Sequence, residues 1–158
     1  MVAVIDVKFT PLPAHVRTAR LIAIAMARRV GVPEDLLDEV RLAVGEACSR
    51  AVGVNATRAP AEPVSMKLSD DLNRFIVEVQ DAGAVPEDSD GSASGSIDIG
   101  AITATGSGEG AMDALPPEFG LVVIGGLVED VEITSGNEGT CVRMGWPAKR
   151  PDGASPAS

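Results

Sequence analysis

Two carboxylates along the chain lie in settings where acid–base or binding chemistry could occur. Glu46 lies beside small apolar residues within a run of helical periodicity that extends through residues 34–53. A carboxylate in such surroundings is a candidate general base or metal-proximal group, although spacing alone favours a surface pair with Arg50, one helical turn later. Asp81 ends a strand-like run and is followed closely by Gly83, which would let a ligand approach the backbone or simply form a turn.

A third candidate is a glycine at the start of a predicted helix. Gly120 follows a long Gly/Ser-rich stretch and precedes an apolar run. The free backbone N–H groups of a helix N-terminus can hold a phosphate. An ordinary junction between a loop and a helix would have the same pattern, so both interpretations stay open.

The periodicity around these residues predicts the elements that position them. An alternating strand covers 2–9, and helices follow over 13–30, where Gly31 ends the first, and from Pro33 to Gly53. After a loop over 54–63, strands are predicted at 64–69 and 74–80, a helix at 119–127, and strands at 129–135 and 139–146. Tight connections between successive strands favour antiparallel pairing. The order therefore predicts a two-layer α/β sandwich, with a mixed, mostly antiparallel sheet and helices on one face.

The chain is expected to form one domain over residues 1–146. Within it, residues 82–118 are rich in Gly, Ser, Asp and Ala and lack sustained periodicity, which is typical of a functional lid or a disordered insert. Residues 147–158 are predicted to be a disordered tail.

Composition excludes several classes of protein. The 158 residues include 23 Asp and Glu against 13 Lys and Arg, a net charge of -10, which disfavours nucleic acid and anionic membranes as partners. Since there is no long apolar run and no signal peptide, a cytoplasmic location is expected. Cys48 and Cys141 are expected to be reduced and buried, and the single His15, a predicted surface residue, cannot build a metal centre.

Taken in order, these segments resemble the anti-sigma-factor serine kinases of the GHKL (histidine-kinase-like) ATPase superfamily. Phe9–Leu12 with Ala19-Arg20 resembles the first strand and helix of that family, and Leu42–Cys48 resembles the start of its N box. Asp81–Gly83 resembles the G1 box, Phe119–Leu121 the end of the G2 box, and the segment 128–144 the closing hairpin. The resemblance implies a Bergerat-type fold and covers nearly the whole chain outside the lid and tail.

The resemblance also implies roles at the matching positions. Glu46 would be the catalytic base, Asp81 would accept a hydrogen bond from the adenine amino group, and Thr140 would lie near the same adenine. Gly83 and Gly120 would surround the nucleotide through their backbones. Arg20 would lie on the helix face that contacts protein partners, and the segment 82–118 would be the ATP lid.

Several positions depart from the family pattern. The N box asparagine that helps to bind Mg²⁺ is replaced by Arg50, which has no acceptor atom for a cation, although it could contact phosphates directly. Val85 and Glu118 replace glycines of the G1 and G2 boxes, and no Lys or Arg occurs between residues 82 and 118. Phosphoryl transfer requires cationic stabilisation, so ATP and Mg²⁺ binding are expected to be weak or absent.

These observations predict an anti-sigma-factor-like regulator that binds a sigma factor and an anti-anti-sigma partner, with a homodimer implied by the resemblance. The alternative is an active serine kinase that phosphorylates the anti-anti-sigma factor. A further alternative is that the fold alone is shared and the ligand is different.

Overall fold

The structure, a computed structural model, describes residues 4–83 and 117–149. The elements follow the predicted order. They are β1 (Val4–Phe9), α1 (Ala14–Val30), a 3-10 turn (Glu34–Leu36), α2 (Leu37–Arg58), β2 (Val64–Asp71), β3 (Arg74–Gln80), α3 (Pro117–Leu127), β4 (Asp130–Gly136) and β5 (Gly139–Pro147).

The five strands form one sheet in the order β1-β2-β3-β5-β4, and every pairing is antiparallel. Side chains of alternate strand residues are buried with those of the helices in one apolar core. The residues that fill it are mostly aliphatic, with Phe75 and Trp146 as its fully buried aromatics. The predicted two-layer α/β sandwich is therefore confirmed.

Helix α1 ends where the sequence predicts. Gly31 follows its last residue with a φ of 94°, a left-handed conformation that glycine adopts without steric cost, and its N–H donates to the Ala27 carbonyl at 3.1 Å. Two of the apolar residues that recur at helical spacing in this segment, Leu21 and Ala25, are exposed rather than buried. The buried face is instead rotated towards small residues such as Ala23, which allow close approach to α2.

Helix α2 continues past the predicted end at Gly53 and stops at Arg58, so the predicted loop begins later than expected. Gly53 is exposed, and a single glycine inside a helix costs only about 1 kcal/mol. Burial of Val54 and Asn55 in the following turn outweighs that cost. Tertiary packing, which the local pattern does not contain, therefore sets the end of this helix.

The β2–β3 hairpin is confirmed, and its turn has unusual residues. Leu72 and Asn73 have φ values of 47° and 64°, as a two-residue turn of type I′ requires. The carbonyl of Asn73 accepts the N–H of Ala148 at 2.8 Å. The turn is thereby joined to the chain just beyond β5.

Two boundaries in the second half of the chain differ from prediction. Helix α3 begins at Pro117 rather than near Gly120, because proline is favoured in a first helical turn. The predicted tail starts too early, since Ala148 is buried and the N–H of Lys149 donates to the Gly31 carbonyl at 3.0 Å. The rest of the predicted lid, 84–116, and of the predicted tail, 150–158, lies outside the described residues.

The face of the sheet opposite the helices carries a row of alternating charges across all five strands. Strand register places in line Asp6, Lys67, Glu78, Arg143 and Glu132. Opposite charges on neighbouring strands stabilise a sheet modestly. This row and the polar residues beside it keep the face compatible with water. Within the described residues, no helix combines the length and apolar character needed to cross a membrane.

Candidate functional site

Asp81 is buried at the end of β3, with only 2% of its surface exposed. Its Oδ1 accepts the backbone N–H groups of Gly83 and Thr140, each at 3.0 Å. Its own N–H donates to the Thr140 carbonyl at 3.0 Å. The residue thus joins the end of β3 to the start of β5, where the resemblance predicts an adenine contact.

The second carboxylate oxygen of Asp81 is bound by Arg50. The Nη1 of Arg50 donates to Oδ2 at 2.6 Å, and the side chains are 12% and 1% exposed, respectively. Such a charge-assisted bond between buried partners is much stronger than a surface ion pair. Arg50 therefore pairs with Asp81 rather than with Glu46, and the surface pair that the helix spacing allowed is wrong.

Two glycines give the Asp81 region its close packing. A Cβ at Gly83 would overlap the side chain of Val54, and a Cβ at Gly139 would overlap the Asp81 carbonyl oxygen. Gly139 also has a φ of 111°, which disfavours any other residue. The backbone of Gly83, which the resemblance places in the G1 box, therefore packs directly against the side chain of Val54 on α2.

Asn55 is a buried polar residue whose role the sequence did not reveal. Its Nδ2 donates to the carbonyls of Glu62 and Pro63 at 3.1 and 3.2 Å, and its Oδ1 accepts the N–H of Ala82 at 2.8 Å. Asn55 therefore joins the last turns of α2 to the residues just before β2 and to the residues just after β3. Asn55 follows Ala51 by four residues and Val52 by three, so it lies on the apolar side of the helix. That position could have indicated that Asn55 is buried.

The remaining predicted site residues lie on three elements, α2, β5 and α3. Glu46 is half-buried on α2, one turn before Arg50. Thr140 is buried, and its hydroxyl lies 3.0 Å from that of Ser135, an internal partner. Gly120 lies in the first turn of α3. The structure thus brings together Asp81, Gly83, Thr140 and Arg50.

Arg20 lies between α1 and α2. Its guanidinium covers Gly45, where a Cβ would approach its Nη2 to 2.7 Å. Its Nε is buried and has no hydrogen-bond partner among the described residues. Burial raises the pKa of the neighbouring Cys48 to about 12, and the positive charge of Arg20 opposes that rise. Arg20 is thus half-buried in the helix layer.

Both oxygens of Asp81 are already bound by donors from the chain, and the carboxylate is almost inaccessible. Arg50, at the position to which the resemblance assigns a Mg²⁺ ligand, offers only donors. No group of three or more potential metal ligands occurs within residues 4–83 and 117–149. The carboxylate of Asp81 is thus satisfied within the chain, whereas the buried Nε of Arg50 has no hydrogen-bond partner among the described residues.

Comparison with known proteins agrees with this fold. Among the matching solved structures is the crystal structure of the RsbU and RsbW domains of Rv1364c from Mycobacterium tuberculosis, with a TM-score of 0.61 and 14% sequence identity. The alignment covers 94% of this chain and 33% of that one, so this chain spans only a third of its length. A comparison with curated proteins gives no match. The sequence model of the histidine kinase-like ATPase domain matches residues 9–146, and the chain therefore belongs to the histidine kinase-like ATPase domain family.

Proposed function

We propose that this chain is a protein-binding regulator built on a histidine kinase-like ATPase scaffold. In this proposal it acts in the cytoplasm as an anti-sigma-factor-like module, binding a sigma factor and being released by an anti-anti-sigma partner. Nucleotide would have no part in this exchange. Support comes from the family, from the ordered motifs that resemble anti-sigma-factor kinases, and from a fold shared with a structure that includes an RsbW domain.

The ion pair between Arg50 and Asp81 carries the proposal. The carboxylate expected to receive the adenine amino group already receives a guanidinium at 2.6 Å. To bind there, a nucleotide would have to expel Arg50 from a site where only 12% of its side chain is exposed. Breaking a buried ion pair is unfavourable by several kcal/mol, and few of the contacts that would offset it remain.

Protein partners would use the surface around α1. Arg20 is half-buried beside Gly45 and has a buried N–H without a partner among the described residues. The buried Nε is not accessible to a partner, but the side chain is partly exposed, so a carboxylate of a partner protein could pair with its charge. The substitution Arg20→Glu is therefore expected to weaken partner binding, while the exposed and neighbouring Arg17→Glu serves as a control for net charge.

Calorimetry with ATP tests the proposal directly. We expect no binding at millimolar ATP, with or without Mg²⁺. Tight Mg²⁺-dependent binding would overturn the proposal. A complex with a sigma factor should also form equally well in the presence and absence of ATP.

The variant Arg50→Asn tests whether the guanidinium of Arg50 is the reason that ATP is not bound. Removing the guanidinium frees an oxygen of Asp81 and restores the amide that the family pattern contains. We expect Mg²⁺-dependent ATP binding to become measurable. Arg41→Asn, an exposed substitution on the same helix, is the matched control and should change nothing. A folded Arg50→Asn variant without any gain in affinity would show that Arg50 is not the cause.

An active serine kinase is the second candidate. Glu46 is half-buried one turn from Arg50, and Asp81 and Thr140 occupy the positions that the resemblance assigns to adenine contacts. If the protein transfers phosphate to an anti-anti-sigma partner, Glu46→Gln should abolish transfer and leave partner binding intact. For a binding module, the same substitution should leave regulation unchanged.

A further inference from the structure

A cavity of about 610 Å³ opens at the end of the sheet where β5 finishes. It lies between the start of α2, the end of α3 and the start of β4. Arg74, at the start of β3, lines this cavity, whereas Gln80, next to Asp81, is six residues further along the strand. At about 3.3 Å per residue, roughly 20 Å of strand separates the cavity from the Asp81 region. The cavity is therefore a second concave surface, of the size that ligand pockets have.

Four apolar side chains form part of the wall of this cavity. Leu36 and Leu127 belong to the helix layer, and Pro147 ends β5. Trp146 also lines the cavity and is the single tryptophan of the chain. A wall of this kind favours a ligand that has an aliphatic portion to bury.

Three carboxylates also line the cavity, and among the described residues only one of them is paired with a cation. Asp130 forms an ion pair with the guanidinium of Arg74. Glu39 is half-buried, and one of its oxygens accepts the indole N–H of the tryptophan at 3.0 Å. Glu129 is exposed, and its carboxylate makes no hydrogen bond or ion pair within residues 4–83 and 117–149. Glu39 and Glu129 therefore leave two negative charges beside the apolar wall.

This combination suits a guanidinium on an aliphatic stem. Glu39 and Glu129 lie on different elements, α2 and the connection from α3 to β4. A guanidinium can bond two carboxylates at once, because its five N–H donors form a planar fork. It is also more weakly hydrated than an ammonium, so that placing it beside an apolar wall costs less. The net charge of -10 on the chain would attract a basic partner over a longer range.

We propose that this cavity binds an arginine side chain of a partner protein. The guanidinium pairs with Glu39 and Glu129, and the methylene groups of the arginine pack against Leu36 and Leu127. The cavity is larger than one side chain needs, so an apolar residue next to the arginine has room beside it. This inference goes beyond the function proposed above and does not depend on it, because neither Asp81 nor Arg20 lines the cavity.

The indole of Trp146 reports binding directly. Since it is the only tryptophan, its N–H gives one indole signal in the NMR spectrum of the full ¹⁵N-labelled chain, and Glu39 accepts that N–H. The probe is acetyl-Leu-Arg-amide, and acetyl-Leu-citrulline-amide is its neutral, nearly isosteric control. We expect the arginine peptide to shift the indole signal saturably and to bind about tenfold more tightly than the control. Free arginine should bind more weakly than the peptide, because its own carboxylate is repelled by the acidic wall.

Two substitutions should change the affinity for the arginine peptide in opposite directions. Glu129→Gln removes a carboxylate without an internal partner among the described residues and should weaken binding about tenfold. Arg74→Gln removes the internal cation, frees Asp130 and should tighten binding. Glu132→Gln and Arg143→Gln make the same changes of charge outside the cavity. These matched controls should leave the affinity within about twofold of the unaltered chain.

An indole signal that does not move with the arginine peptide at millimolar concentration would overturn the proposal. Equal affinity for the citrulline peptide would overturn it as well, since only apolar contact would then remain. So would unchanged affinity in a folded Glu129→Gln variant. Free arginine that binds as tightly as the peptide would overturn the assignment of the cavity to a partner protein.

Discussion

The guanidinium of Arg20 lies against the backbone of Gly45, with Nη2 and Cζ at 2.7 and 2.8 Å from the place where a Cβ would be. The contact joins α1 to α2 in the middle of the helix layer. Glycine inside a helix normally lowers its stability. Here it provides the space that a large cationic side chain occupies, so the two residues form one packing unit.

Substituting Gly45 by alanine should therefore lower the free energy of unfolding, although alanine is the better helix former. We expect a loss of about 1–3 kcal/mol from the forced shift of Arg20. Gly53→Ala is the matched control in the same helix, because nothing lies within 4 Å of its Cβ position. That control should gain about 0.5–1 kcal/mol. Urea unfolding of both variants measures the two effects.

Removing the side chain of Arg20 should reduce the loss of unfolding free energy that Gly45→Ala causes. In an Arg20→Ala background, Gly45→Ala should cost much less than it does alone. Equal losses in both backgrounds would mean that Arg20 is not the residue that requires glycine at position 45.

The pair of Arg50 and Asp81 should show a large coupling energy. Arg50→Ala leaves a carboxylate that is 1% exposed without its cation, and we expect about 3–5 kcal/mol of destabilisation. Combining Arg50→Met with Asp81→Asn should be less harmful than the two single changes together. A double-mutant cycle in denaturant measures this coupling. The exposed pair of Arg41 and Asp38, taken through the same cycle, should give less than about 1 kcal/mol.

The free energy of unfolding should fall at alkaline pH because the thiol of Cys48 is buried. Burial raises the pKa of its thiol to about 12 in the folded state, against 9.0 as the ordinary value. The folded protein therefore keeps a proton that the unfolded chain releases. This contribution is complete below the ordinary pKa and is lost as pH rises through the folded one.

Comparison with Cys48→Ala isolates that effect. Between about pH 7 and about pH 10, the unaltered chain should lose about 1 kcal/mol of unfolding free energy relative to the variant. Other titrating groups cancel in the difference. Parallel curves of stability against pH for the two proteins would contradict the assignment.

Leu72 offers a gain in stability at the β2–β3 turn. Its φ of 47° is unfavourable for leucine, and 89% of its surface is exposed, so the side chain contributes little packing. Asparagine adopts this conformation more readily, and Leu72→Asn should raise the unfolding free energy by about 1 kcal/mol. Leu12→Asn, at a position that is 53% exposed without a positive φ, should show no such gain. Thermal melting distinguishes the two.

Much of the fold could be predicted from the sequence, because its elements carry strong local signals. Alternation in β2 and β3, the glycine after α1 and the turn residues of the hairpins each reflect geometry within a few residues. The end of α2 could not be predicted in this way. It depends on Asn55, which contacts residues 62, 63 and 82.

The candidate site was predicted in part. The motif order identified Asp81, Gly83 and Thr140, which the structure does bring together. The partner of Arg50 could not be predicted, since helix spacing offers only Glu46 as a neighbour. Its actual partner lies 31 residues away, and their contact depends on how α2 lies across the sheet.

Hydrogen bonds join helix α2 to the sheet in both its first and its second half. Near its start, Glu39 accepts the indole N–H of Trp146 at 3.0 Å, and in its second half Arg50 and Asn55 bond to Asp81 and Ala82, which follow β3. A local opening of α2 would have to release both attachments together. Its interior amide protons should therefore exchange with solvent only through global unfolding, which would make α2 the part of the helix layer that is deuterated last.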